Sequence, residues 1–440
     1  MILSRGRAHV YAASGSWSAA VLQFVTGVIV VRALAPGDVG TFVFGSAIAI
    51  FLFGVFDLRI EEGLTQFLVR EKDAGRAVHK RSALRFAVAV DFASALLIFL
   101  LILAALTMLP FDLSDDTRDV AAIAAATSLI AASDGSFLAV FYADHAFGWL
   151  SSYQVVSNAA RCLALLVFPI STPVDATWAF LLAQVVGTGF VLTVVVLRFL
   201  PRRALSSSLK SSDRRWLLRF SIHVALASAV ATVRTTAIPL VMGVVGTRRE
   251  VADARVAESP TRLLGVAVAP VRTVLFPRLS AAWARRDRGG ARRLIRQYVG
   301  AALLLGGALG LALALTIGFL LEAIYGPAYS DLGRVGQVFV LAALLDAVAG
   351  WQKVAPAALD RPWLRTYILA VEAGALLVAL LILVPSYGPL GAAISATVAA
   401  ACSLAMGAYW LKPAFTEQTW EQERHPPESS QETPIADRPH

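Results

Sequence analysis

The sequence predicts an all-α polytopic membrane protein of about twelve transmembrane helices, arranged as two six-helix bundles related by a parallel pseudo-repeat. Three observations carry that prediction. Of 440 residues, 57% are hydrophobic and 16% charged, with a mean hydropathy of +0.67. Soluble chains run near 45–50% apolar and about 25% charged. Apolar runs close to the roughly 20 residues that a helix needs to cross a bilayer recur along almost the whole chain. The basic residues fall between those runs in alternation, which is the mark of membrane topology rather than of a nucleic-acid footprint.

The first span, 10–31, follows Arg5 and Arg7 and precedes Ala33-Leu34-Ala35, which together mimic a cleavable leader. Its apolar stretch is too long for one, and Gln23 and Arg32 interrupt or end it, so it is read as retained. After the short turn PGDVG at 36–40 come spans at 39–57, 82–109, 119–141, 149–170 and 176–200. The second half gives spans at 217–245, 253–277, 298–322, 334–352, 364–385 and 390–412. The division is a bundle over 1–200, a basic Ser-rich cytoplasmic linker over 201–216, a bundle over 217–412, and a tail over 413–440. The tail is rich in Pro, Glu and Gln, has nothing to bury, and is expected to be disordered.

With the N-terminus in the cytoplasm, the inner segments hold 29 Lys and Arg and the outer ones 6, namely Arg32, Arg118, Arg248, Arg249, Arg255 and Arg334. Such asymmetry sets orientation and places both termini inside. The inner turn around Asp144 and His145 carries no basic residue and is the weakest part of the assignment. Six spans per half, each half starting on the same side, give a parallel repeat, and substrate sites of such folds lie between the halves. The plan is that of a transporter.

Nine ionisable residues fall within spans: Arg161, Arg234, Arg262, Arg272, Asp91, Asp134, Glu258, Asp346 and Glu372. Facing lipid they would cost on the order of 25 kcal/mol together, so they face a cavity or one another. In the eighth span Glu258, Arg262 and Arg272 fall within about 80° of arc at about 100° per residue. Pro260 and Pro270 are expected to break that helix. Glu258 and Arg262, at i and i+4, either neutralise each other or leave Arg262 for a substrate. Gln154, Asn158 and Arg161 share a face of the fifth span, as a cavity lining or a hydrogen-bonded seam. Arg234 has no acid within one turn, and Arg272 lies nearer the cytoplasmic end, where it can snorkel.

Arg161, Arg234 and Arg262 sit at similar depth, and guanidinium groups suit phosphate because they donate bidentately and stay charged. They are the candidate ligands of an anionic, phosphorylated substrate, with Gln154, Asn158, Glu258 and Arg272 in support. Asp91, Asp134, Asp346 and Glu372 are candidates for Na⁺ or H⁺ coupling or for holding helices together. No cofactor is expected. The basic inner stretch WARRDRGGARRLIR at 283–296 would rest on anionic membrane lipids. The two cysteines, Cys162 and Cys402, give neither a disulfide framework nor zinc spacing. Phosphate-loop and HExxH signatures are absent, and the outer loops are too short to carry a catalytic site.

Four phrases in order, RALAPGDVGTF at 32–42, VLFPRLS at 274–280, IYGPAYSDLG at 324–333 and YGPLGAAISATVA at 387–399, resemble those of the multidrug/oligosaccharidyl-lipid/polysaccharide exporter superfamily, in its O-antigen and exopolysaccharide flippase branch. The likeness covers all but the tail. It implies a V-shaped pair of bundles around a cationic lumen in the bacterial inner membrane. By alternating access, the protein would translocate undecaprenyl-diphosphate-linked oligosaccharide for O-antigen, exopolysaccharide or capsule assembly, beside other glycan-assembly proteins and without nucleic acid. Two departures stand out. The Asp-Arg pair that many relatives carry in the seventh span is missing, since Arg234 is followed by Thr235 and Thr236. The fourteen-span layout of peptidoglycan-precursor flippases is also missing, which disfavours a lipid II substrate. The alternatives are a cation-coupled small-molecule exporter of the same fold and, further off, a membrane-embedded glycan polymerase or ligase.

Overall fold

A computed structural model describes residues 2–73, 80–108, 113–200, 209–285, 287–359, 361 and 363–411. The tail over 413–440 and the first half of the linker, 201–208, lie outside the described residues. Fifteen α-helices follow one another, with no strand among the described residues. The first half holds α1 (Ile2–Ala33), α2 (Pro36–Phe56), α3 (Ile60–Asp73), α4 (Lys80–Met108), α5 (Asp115–Ala131), α6 (Asp134–Ala143), α7 (Phe147–Val167) and α8 (Pro173–Val194). The second holds α9 (Ser211–Val245), α10 (Arg248–Glu258), α11 (Arg262–Ala284), α12 (Arg288–Tyr325), α13 (Gly333–Val348), α14 (Ala355–Ala358) and α15 (Trp363–Leu411).

Among the described residues, nine helical segments are long and apolar enough to cross a membrane. The twelve spans read from sequence are recovered once three differences are counted. The apolar part of α1, Trp17–Ala33, is shorter than the others. Helix α7 carries Gln154, Asn158 and Arg161. Helix α15 supplies two spans, because Gly388 (φ 52°, ψ −128°) turns the chain between Pro385 and Pro389. That φ is open to glycine and strained for other residues.

Several helices open on polar caps, which satisfy the free N–H groups of the first turn. Ser114 caps α5, and reciprocal capping boxes, Thr172 with Asp175 and Thr247 with Glu250, open α8 and α10. Helix α2 opens on Pro36, whose missing N–H costs nothing in the first turn.

One element was not legible as a span or a loop. Between the second and third spans, read from sequence as a basic inner stretch, lies α3. Its Ile60, Leu64, Phe67 and Leu68, at i, i+4, i+7 and i+8, are buried. It packs on α4 and α6 of the first half and on α9 of the second. The inner turn that lacked basic residues borrows them from this stretch: Lys72 reaches Asp144 at 3.3 Å, and Lys80 bonds it as well. Burial pushes the Asp144 carboxyl up, but the two ammonium groups outweigh it and hold the group below its ordinary value. The 144–145 turn therefore lies at the same end as the basic 59–85 stretch, as the topology requires.

The halves meet along a continuous seam in which α2 packs on α9 and α10. Beside that seam, where α2 and α10 also contribute lining residues, α1 and α11 flank a cavity.

Candidate functional site

The cavity has a volume of about 470 Å³ and is walled by both halves: α1, α2, α7 and α8 on one side, α10, α11 and α12 on the other. Its walls are mostly apolar and aromatic, including Trp17, Phe24, Phe42, Phe180 and Tyr325, and no Asp or Glu is among the lining residues. Its charged groups are all cationic, Arg161 from α7, Arg255 from α10 and Arg262 from α11, and Gln23, Thr26, Asn158 and Ser259 add neutral polar groups.

Arg161 is held from behind. Its Nη2 donates to Gln184 Oε1 at 3.0 Å, and its guanidinium lies 5.7 Å from the Phe180 ring centroid. Gln184 Nε2 in turn donates to Asp134 Oδ2 at 2.8 Å, and Tyr153 OH donates to the same oxygen at 2.6 Å. Asp134 thus acts on Arg161 through the amide, while the buried Nε of Arg161 has no protein partner. Asn158, one turn before Arg161, donates to the Gln154 carbonyl at 2.8 Å. Of the expected face on α7, Asn158 and Arg161 line the cavity and Gln154 does not.

The eighth span is broken where Pro260 predicts it. A 3₁₀ turn over Ser259–Thr261 separates α10 from α11. The turn advances more per residue than an α-helix, so Glu258 and Arg262 no longer sit one above the other. Glu258 pairs with Arg255 at 3.0 Å, and Arg262 has no salt bridge among the described residues. Of the two alternatives read from sequence, mutual neutralisation of Glu258 and Arg262 is thereby set aside, because Glu258 pairs with Arg255 on the preceding turn. Pro270, also expected to break the helix, sits inside a continuous α11. It removes the donor for the carbonyl of Val266, a cavity residue. Ser259 Oγ and the Tyr325 hydroxyl, 2.6 Å apart, close the wall beside the break.

Arg234 is not among the lining residues of this cavity. It lies inside the second half, where Nη2 donates to Asp346 Oδ1 at 2.7 Å and Nε to Glu372 Oε1. Lys353 completes the cluster at 2.6 Å from Asp346. The acids absent from its own turn arrive from α13 and α15. Two residues grouped with the possible coupling acids are therefore the counter-ions of Arg234, and the cluster binds three helices together. Arg272 lies apart from the cavity, its side chain near Gly350. Asp91 of α4 is buried, at 4% exposure, and accepts a hydrogen bond from Ser136 Oγ.

Sequence reasoning missed Arg255 as a cavity residue. It was counted with the outer charges because the apolar run begins only at about 253. The available signal was the arginine three residues before Glu258, a spacing that pairs on a helix as well as i+4 does.

The family model described as "Polysaccharide biosynthesis protein" matches residues 7–283. No curated protein matches the chain in sequence. Among solved structures, the inward-facing conformation of a multidrug resistance MATE family transporter of the MOP superfamily superposes with a TM-score of 0.75 at 12% identity, covering 90% of this chain and 94% of that one. The lipid II flippase MurJ in an inward closed conformation gives 0.70 at 12% identity, over 92% and 87%. A MOP superfamily transporter from Pyrococcus furiosus gives 0.61 at 15% identity, over 92% and 94%. At these identities the likeness is one of fold.

Proposed function

The chain belongs to the polysaccharide biosynthesis protein family, and from that premise we propose that it is a flippase that carries undecaprenyl-diphosphate-linked oligosaccharide across the bacterial cytoplasmic membrane. The observation that carries this reading is the convergence of Arg161, Arg255 and Arg262, from both halves, on one cavity without a lining acid. A glycan cannot cross hydrocarbon unaided, because every hydroxyl and charge would lose its water. A cavity between rocking halves removes that barrier while the polyprenyl tail stays in lipid.

The cationic groups have separate tasks. Arg262, free of any salt bridge among the described residues, is the group most ready to meet a phosphate oxygen. Arg161 is aimed by Gln184, which takes one Nη2 hydrogen bond and fixes the direction of the guanidinium. Arg255 is shared with Glu258, so it can exchange one carboxylate oxygen for a phosphate oxygen at little cost. The solved lipid II flippase of the same fold supports a lipid-linked substrate. A small-molecule exporter coupled to cations would take cationic drugs poorly here, since the cavity repels them. Ion coupling, on this reading, belongs to Asp91 and Asp134, which have no salt bridge among the described residues, rather than to Asp346 and Glu372, which Arg234 and Lys353 neutralise.

The test is glycan display in a strain lacking the protein and complemented with variants. Arg262→Ala should insert normally and lose display, and Arg262→Lys should recover part of it, since an ammonium keeps the charge without the fork. Full display from Arg262→Ala at normal abundance would reject the assignment.

A further inference from the structure

Two of the sequence phrases that carried the family resemblance, RALAPGDVG and IYGPAYSDLG, have no part in holding an anion, and the fold brings them together. Helix α12 ends at Tyr325, with Gly326 (φ 104°) turning the chain out. The last carbonyls of a helix lack their usual donors and carry the negative end of its dipole. Here the following residue deepens the deficit: the donor due to the Ala323 carbonyl would be Pro327, which has no N–H. Arg32, from the end of α1 in the other half, supplies what is missing. Its Nη2 donates to Ala323 O at 2.7 Å and its Nε to Ile324 O at 2.6 Å. The same two helices touch one level deeper, where the Phe24 and Tyr325 rings meet edge to face at 6.5 Å.

The opposite side of the outer end is built differently. A Cβ at Gly40, the last residue of PGDVG, would fall 1.7 Å from the Arg248 carbonyl, so α2 and α10 run with their backbones in contact. The Arg248 guanidinium lies 4.2 Å from the Phe44 ring centroid, across the same seam. Backbone contact of this kind cannot be exchanged for water. The bonds of Arg32, on an exposed side chain, can be.

We propose that Arg32 is the releasable clasp of the outer gate: it joins the halves on the α1–α12 side when the outer end is closed and lets go when that end opens, while the Gly40 seam stays as the hinge. Three of the six outer arginines that depart from the topology rule are thereby accounted for. Arg32, Arg248 and Arg249 each donate to a backbone carbonyl at or just beyond a helix C-terminus, on Ala323 and Ile324, Gly243 and Ala328 respectively. Only Arg32 does so from one half to the other.

The labelling experiment reads the gate directly and does not require the proposed substrate, whereas the crosslinking arm reads glycan display and rests on the proposed function. In protein with Cys162→Ser and Cys402→Ser, a single cysteine is placed in the cavity as Val43→Cys. An anionic, membrane-impermeant thiosulfonate is then added to the outside of intact cells. Adding Arg32→Ala should speed labelling about tenfold, equivalent to about 1.4 kcal/mol. Arg32→Lys should fall between, because one ammonium cannot span both carbonyls. Unchanged labelling at normal abundance would overturn the proposal. Should Arg32→Ala fail to insert, the pair Arg32→Cys with Ala323→Cys, joined by a short bifunctional thiosulfonate, tests the same point. Crosslinked protein should stop glycan display and regain it on reduction. Display continuing through the crosslink would show that the halves do not part there.

Discussion

Replacing Arg234 with alanine separates a structural arginine from a substrate ligand. Glu372 is 2% exposed, and its salt bridge among the described residues is to Arg234. Its second oxygen, Oε2, already has no partner. Asp346, by contrast, keeps Lys353 at 2.6 Å when Arg234 is removed. The loss therefore falls on one carboxylate left unpaired out of water, a perturbation of about 3–5 kcal/mol. A unit the size of one half shifts about 2–4 °C per kcal/mol, so the expected drop in midpoint is on the order of 10 °C. Detergent-solubilised protein heated at a fixed rate and followed by size-exclusion chromatography reads that shift. Adding Glu372→Gln to Arg234→Ala should restore most of it, because a neutral amide needs no counter-ion. An unchanged midpoint in Arg234→Ala, with glycan display lost, would refute this account of the cluster and return Arg234 to the substrate.

Two further expectations follow from the same contacts. Asp144→Asn should weaken the tie of the 144–145 turn to Lys72 and Lys80 by about 1 kcal/mol, the scale of a half-exposed pair. Because the folded Asp144 carboxyl titrates below its unfolded value, that difference should be present above about pH 4 and vanish as pH falls further, in thermal midpoints measured across pH. Reporter fusions at Asp116 and Gly246 should report the outer side and a fusion at Gly289 the inner side; a reversed signal would invert the cavity and the gate together.

The spans were legible because a bilayer imposes a length and a polarity that no folding detail can override. Helix α3 was hidden because Glu61, Glu62, Arg70 and Lys72 dilute its apolar stripe below any span threshold, although Ile60, Leu64, Phe67 and Leu68 were readable as one face. Within the site, Arg161 and Arg262 were read as cavity residues from their positions along the spans, and both line the cavity. Pairing was not legible where it crosses helices: nothing in the spacing around Arg234 announces Asp346 or Glu372. At Glu258 the i, i+4 spacing to Arg262 left pairing as one alternative, and the 3₁₀ turn at Pro260 sets it aside in favour of Arg255. Arg32 illustrates the reverse case. Its motif was recognised, but the partner is a pair of backbone carbonyls, which no sequence pattern marks.

The claim at the centre of this account is that the cavity recognises a diphosphate on a lipid. Native mass spectrometry of the protein in nanodiscs can compare undecaprenyl diphosphate with undecaprenol, which differ only in the charged head. The diphosphate should bind at least about tenfold tighter, a difference of about 1.4 kcal/mol that a single charged contact can supply. That preference should collapse in Arg161→Ala and in Arg262→Ala. Equal binding of the two lipids, or a preference untouched by both substitutions, would contradict it.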